Sequence, residues 1–269
     1  VVPRREPMTA GTIFDLASLT KPVATALSAM LLAERGQLDL DAPGRRWLPG
    51  FTGEGKERIT PRHLLLHRGG LTADNPLADY REGPAKAWAR ICALPLLSPP
   101  GARFRYTDVG FIVLGRLVER ISGKRLDTFA RENLFAPLGM ETTCFNPPPA
   151  LRERIAPTQR AGGRILRGTV HDPRARLLGG VAGHAGLFST GDDLARLCRM
   201  LLREGELDGV RILRADTVRE MTALRPGCGG RALGWDLTSG YASPRGHWLT
   251  RGVSFGHSGF TGTSLWIDP

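Results

Sequence analysis

The chain has 269 residues, 41% apolar and 23% charged, ordinary globular values that exclude a disordered chain and a disulfide-dense mini-protein. Its net charge of +11 comes mostly from scattered arginines; only Lys21, Lys56, Lys86 and Lys124 are lysines, and no basic run interleaved with aromatics points to nucleic acid. No apolar run reaches the roughly 18 residues of a membrane-spanning helix, and Cys92, Cys144, Cys198 and Cys228 form neither a CxxC pair nor a zinc spacing.

In chain order, Val23, Leu27, Met30 and Leu31 share one face of a predicted helix over 18–35, which Gly36 can end. Thr60-Pro61 is a cap followed by proline at the first helical position, opening a short helix that carries Leu64 to Leu66 and stops at Gly69-Gly70. His67 would close it as a cation near a helix C-terminus. Phe111, Leu114, Leu117, Val118 and Ile121 mark a further helix ended by Gly123. Leu194, Leu197, Cys198 and Leu201 mark another, with Cys198 on its core stripe and Thr190-x-x-Asp193 as a capping box with Asp in place of Glu. The Gly- and Pro-rich stretches 72–103, 144–190 and 225–252 are long enough to carry short elements or to fold over a site. Strand signals fall near the two ends. Segment 263–267 reads as a strand with Asp268-Pro269 as a turn, an edge without its partner, so the chain reads as a fragment lacking strands at both ends. The expected organisation is one domain, 1–269, of α+β class. A helical lobe (about 17–224) and a sheet lobe made from the two chain ends (about 1–16 and 225–269) would enclose a cleft.

Three clusters could carry chemistry. In Ser18-Leu19-Thr20-Lys21, a helix starting near Ser18 puts the hydroxyl and the amine on one face. A serine hydroxyl needs a base, and the helix N-terminus stabilises a developing anion. In Tyr106-Thr107-Asp108, a tyrosine beside a cationic lysine can act as general base. The structural alternative is Asp108 as N-cap and Tyr106 as a core residue. Gly256-His257-Ser258-Gly259-Phe260 fails as a G-x-S-x-G nucleophile elbow, because the fifth residue is Phe and no helix signal follows. It reads better as a strand-edge triplet, His257-Ser258-Gly259, with Gly259 admitting a substrate backbone and the Phe260 amide free to donate to an oxyanion.

Taken together, S-x-x-K near the start, Y-x-D after it and H-x-G near the end resemble the penicillin-recognising serine hydrolases. The best match is the branch of class C β-lactamases, D-alanyl-D-alanine carboxypeptidases and family VIII esterases. Supporting segments are Phe14-Asp-Leu-Ala-Ser-Leu-Thr-Lys-Pro22, Leu64-Leu-Leu-His-Arg-Gly-Gly-Leu71 and Leu178-Gly-Gly-Val-Ala-Gly-His-Ala-Gly-Leu-Phe-Ser-Thr190. The resemblance implies a β-lactamase/transpeptidase-like fold, with an antiparallel sheet flanked by helices. It implies Ser18 as nucleophile, Lys21 and Tyr106 in proton transfer, and the backbone amides of Ser18 and Phe260 as oxyanion hole. Asp108, His257, Ser258 and Gly259 would contact substrate.

The implied reaction is two-step acyl transfer on a small-molecule ester, D-Ala peptide or lactam, without metal or organic cofactor. A periplasmic or extracellular location is favoured and a cytoplasmic one left open. Two positions depart from the class C pattern, where Asp108 is usually Asn and His257 usually Lys. A histidine near its ordinary pKa of about 6.5 is mostly neutral at pH 7 and supplies no permanent cation. Asp108 favours a protonated Lys21 and pushes base duty towards Tyr106. Both changes lower the expectation of strong β-lactamase activity. The alternatives are a catalytically silent cell-wall-peptide or protein binder on the same fold, and an α/β-hydrolase using Ser258. Three features stay open on sequence alone. His184 either lines the cleft or stabilises its loop, His171-Asp172 reads as a hydrogen-bonded pair, and Trp235, Trp248 and Trp266 read as core or pocket wall.

Overall fold

The computed structural model describes residues 5–269. In chain order the elements are β1 (Phe14–Asp15), α1 (Leu27–Glu34), α2 (Pro61–Leu65), α3 (Pro84–Ala93), α4 (Asp108–Ser122), α5 (Leu126–Ala130), β2 (Cys144–Phe145), β3 (Arg160–Ala161), β4 (Arg164–Ile165), α6 (Pro173–Leu177), β5 (Leu187–Ser189), α7 (Gly191–Leu202), β6 (Glu206–Leu207), β7 (Val210–Arg211), α8 (Ala215–Thr222), β8 (Phe255–Ser258) and β9 (Ser264–Ile267). The class is α+β, with helices around small antiparallel sheets.

The first helix enters α1 through a 3-10 turn (Ala17–Leu19) and a wider π-type segment (Lys21–Ala26). The one-faced pattern expected for it is not what forms. Every residue from Leu19 to Leu32 is buried, Thr20, Lys21, Thr25 and Ser28 included. Small residues (Ala24, Ala26, Ala29) let α4 and α8 close on it from different sides, so it is a helix buried all round.

Thr107, not Asp108, caps α4: its Oγ1 accepts the Gly110 amide at 3.1 Å, and Asp108 is the first helical residue. At α7, Thr190 caps as expected, accepting the Asp193 amide at 3.3 Å, but the box is not closed. The Asp193 carboxylate instead takes the hydroxyls of Thr142 and Thr143, tying α7 to the residues before β2. Thr60 does form a reciprocal box, with His63 in the acidic residue's place.

The expected sheet built from the two chain ends does not form among the described residues. β1 pairs with β5 (Phe14 opposite Ser189), and β5 pairs with β2. Segment 263–267 has a partner after all: β9 folds back on β8 in a separate hairpin, Phe255 opposite Ile267. That hairpin is fastened to the rest by side chains, the hydroxyl of Thr261 donating to Asp15 O at 2.7 Å and that of Thr263 to Leu16 O at 3.1 Å. The glycine-rich stretches carry short elements: α3 in the first; β2, the β3–β4 hairpin, α6 and β5 in the second; a 3-10 turn (Ser243–Arg245) in the third. Cys198 is half-buried against the core. Trp235 is a core residue and Trp248 is 87% exposed. No described helix is long and apolar enough to cross a membrane.

Candidate active site

β1 delivers the chain to Ser18 through a strained step. Ala17 has φ +45°, a region costly for a residue with a Cβ. Hydrogen bonds hold it there. Its amide donates to Asp15 Oδ1 at 2.9 Å, and its carbonyl accepts the Thr20 hydroxyl at 2.7 Å. The Thr20 hydroxyl in turn accepts the Leu187 amide from β5. The other Asp15 oxygen takes the His171 amide at 2.6 Å. Burial pushes the Asp15 carboxyl up, against these two amide bonds.

Ser18, half-buried, has its Oγ 2.9 Å from Lys21 Nζ. Lys21 is fully buried, and its three N–H donors have three acceptors: Ser18 Oγ, the His184 carbonyl at 3.2 Å and Asp108 Oδ1 at 2.6 Å. Burial alone would lower the Lys21 pKa; Asp108 and then Tyr106 outweigh it, so Lys21 stays an ammonium. Asp108 is held low: burial raises it, but Lys21 and then His184 more than compensate.

Tyr106 precedes α4 with its ring centroid 4.9 Å from Lys21 Nζ, stacked on His67 at 4.5 Å and beneath Tyr241 at 5.1 Å. His67 is not the helix-closing cation expected. It is buried, its Nδ1 accepts the Thr107 amide, and burial, then Arg231 and Lys21, push it well below the ordinary histidine value.

His257 lies in β8 beside Tyr106, ring centroids 5.9 Å apart. Burial, then Arg231, then Lys21 push it well below its ordinary value, so it is neutral. Arg231 Nη2 lies 3.4 Å from its Nε2, which fixes the tautomer: Nε2 accepts and Nδ1–H donates to Ser258 O at 2.8 Å. Arg231 was not foreseen. It is 1% exposed, ion-paired to Asp236 at 3.0 Å, and 5.3 Å from the Tyr106 centroid.

Ser258 ends β8 and is followed by a turn and then β9, not by a helix, so no nucleophile elbow is built on it. Gly259 meets a packing requirement of the protein itself. A Cβ there would lie 2.3 Å from Thr263 Oγ1 and 2.5 Å from Leu16 O, so no larger residue fits at this position. The result is that the 259–262 turn is pressed against the segment leading into Ser18. Phe260 is 86% exposed, and its amide has no hydrogen-bond acceptor among the described residues.

His171 and Asp172 do not pair. Neighbouring side chains diverge, and Asp172 Oδ1 instead takes His184 Nε2 at 2.9 Å while capping α6 through the Ala175 amide. His184 is buried in the loop joining α6 to β5. Asp108, Asp172 and His184 bring ligand-type atoms within 4.8 Å of one another. Within this set Lys21 Nζ holds Asp108 Oδ1 at 2.6 Å and His184 Nε2 holds Asp172 Oδ1 at 2.9 Å.

The beta-lactamase family matches residues 2–269. The chain belongs to this family. It is 33% identical to an Escherichia coli (strain K12) protein named "Putative D-alanyl-D-alanine carboxypeptidase", over 97% of this chain and 67% of that protein. Among solved structures, a penicillin-binding protein homologue from Caulobacter crescentus superposes with a TM-score of 0.79 at 24% identity, covering all of this chain and 77% of that one. A family VIII carboxylesterase gives 0.78 at 23% identity, over 99% and 77%. This beta-lactamase-family chain is accordingly a hydrolase with the fold of the penicillin-recognising serine enzymes.

Proposed function

We propose that the chain hydrolyses an ester or amide bond through an acyl-enzyme on Ser18. The observation that carries this reading is the contact of Ser18 Oγ with the buried Lys21 ammonium, itself held against Asp108. Ser18 attacks the carbonyl, and its proton passes to Tyr106, which must enter this step as the phenolate, with the Lys21 ammonium as the adjacent counter-charge. The tetrahedral oxyanion sits between the amides of Ser18 and Phe260. Collapse expels the alcohol or amine, which takes the proton from Tyr106, and water repeats the sequence to free Ser18.

The substrate class follows from charge. His257 is neutral, and the nearest permanent cation, Arg231, is buried against Asp236. A β-lactam or C-terminal dipeptide that relies on a strand cation for its carboxylate finds none exposed in the triplet. Esters and amides without that requirement fit better. The kinship with a protein named for carboxypeptidase activity keeps D-alanyl peptides among the candidates.

The test is fluorophosphonate labelling with peptide mapping on wild type and Ser18→Ala. Hydrolysis of 4-nitrophenyl esters, a D-Ala-D-Ala peptide and a chromogenic cephalosporin follows. An adduct on Ser18, with esters turned over faster than the cephalosporin, is expected. An adduct on Ser258 would overturn the site. No adduct on folded protein would leave a silent binder on this fold.

A further inference from the structure

We propose that Asp172 and His184 form a positioning pair that holds the Lys21 ammonium between Ser18 and Asp108; this rests on the reading of Ser18 as nucleophile. The His184 carbonyl is the third acceptor of Lys21, and the residue before it grips the same helix four residues on, Gly183 O accepting the Thr25 hydroxyl at 2.7 Å. Two successive carbonyls of one loop therefore hold Lys21 and Thr25.

What fixes that loop is the His184 ring. It is 1% exposed, and Nε2 is 2.9 Å from Asp172 Oδ1, itself pinned at the start of α6 by the Ala175 amide at 2.7 Å. The ring is thus tied to one element while its own carbonyl is tied to another. The charged groups facing it are Asp172 from the α6 cap, Asp108 from α4, Lys21 from the first helix, and Asp74, itself ion-paired to Arg174 at 3.6 Å. Freed from Asp172, the His184 carbonyl is no longer held at 3.2 Å from Nζ. The charged form of Lys21 then loses an acceptor, and its placement against Ser18 Oγ loosens.

The experiment uses the full chain with 4-nitrophenyl butyrate as substrate and fluorophosphonate labelling of Ser18, across pH. His184→Leu fills the space without an N–H, and Asp172→Ser keeps a capping hydroxyl but not the carboxylate. Both are expected to lower kcat about 10-fold with KM nearly unchanged, and to move the basic limb of the pH–rate profile to lower pH. His184→Gln, whose amide nitrogen can stand where Nε2 stood, is expected to restore most of kcat and the limb. An unmoved limb overturns the proposal, as does a His184→Gln variant no better than His184→Leu. Should His184→Leu fail to fold, Asp172→Ser decides by the same two readouts. Failure of wild type to label at Ser18 would be a separate result, removing the underlying reading and this one with it.

Discussion

The Lys21 ammonium, shut off from solvent, lies 2.6 Å from the Asp108 carboxylate at the first residue of α4. A lysine buried this way would shed its proton without that partner. The pair therefore makes Lys21 a fixed cation, and the base is sought elsewhere.

Asp108→Asn removes that charge while keeping shape. Burial then dominates, and the Lys21 pKa falls. In a pH series of 4-nitrophenyl ester hydrolysis the basic limb is expected to move to lower pH. A limb that stays in place would mean that Asp108 does not govern the protonation of Lys21. Lys21→Ala, by contrast, is expected to cost about 10²–10⁴-fold in kcat/KM at all pH values.

Phe260 offers a separation of side chain from backbone. It occupies the second position of a turn closed by Gly262 N donating to Gly259 O at 3.0 Å, a position that accepts proline. Phe260→Pro deletes the amide hydrogen along with the ring and is expected to lower kcat about 10²–10³-fold, the usual effect of losing one oxyanion donor. Phe260→Ala keeps the amide and removes an exposed ring, so its effect on kcat should be far smaller. Equal effects of the two would argue against an oxyanion role.

His67 and His257 make stability depend on pH. Both are buried and neutral in the folded protein, their pKa values pushed well below normal by burial and by Arg231. The unfolded chain binds protons at these residues below about pH 6.5, where the native protein refuses them. Stability is therefore expected to be unaffected by them above that pH and to fall as the pH drops through it. The slope is up to about 1.4 kcal/mol per pH unit per histidine. Urea titrations between pH 7.5 and 5 measure this, and His257→Gln should flatten the slope.

Gly183 is a steric pivot: a Cβ there would lie 1.9 Å from Phe111 O. Gly183→Ala must push the loop off α4, at a cost of about 1–3 kcal/mol or more. The same displacement carries the His184 carbonyl with it. A lowered Tm and slower fluorophosphonate labelling of Ser18 are expected together; a lowered Tm with labelling unchanged would separate the loop from the chemistry.

How much of this was legible in the sequence follows from how local each feature is. Ser18 and Lys21 lie three apart on a helix start, and Tyr106 and Asp108 border a helix with a strong apolar stripe, so periodicity places them at helix starts, while their pairing as one site comes only from the family resemblance of the motif order. Arg231 and Asp236 sit in an irregular stretch with no period to read, and only the fold shows that Arg231 lies under Tyr106 and beside His257. Asp172 next to His171 suggested a pair, yet the true partner is His184, brought back across the α6–β5 turn. The α1 region misled in another way. Its apolar stripe is real, but the alanines between the stripe positions are equally buried, and small residues give no periodic signal. β5, a three-residue strand inside a glycine-rich stretch, gave no strand signal of its own, so its pairing with β1 was not legible.

The strap between Thr261 and Asp15 joins residues 246 positions apart, and Gly259 presses the same turn against Leu16. A ribosome halted before β8 would therefore present Ser18 and Lys21 already in the chain but without the Phe260 amide that the proposed mechanism requires. Under that mechanism the late-arriving hairpin doubles as a safety catch: the nucleophile is armed only after β8 and β9 have left the exit tunnel.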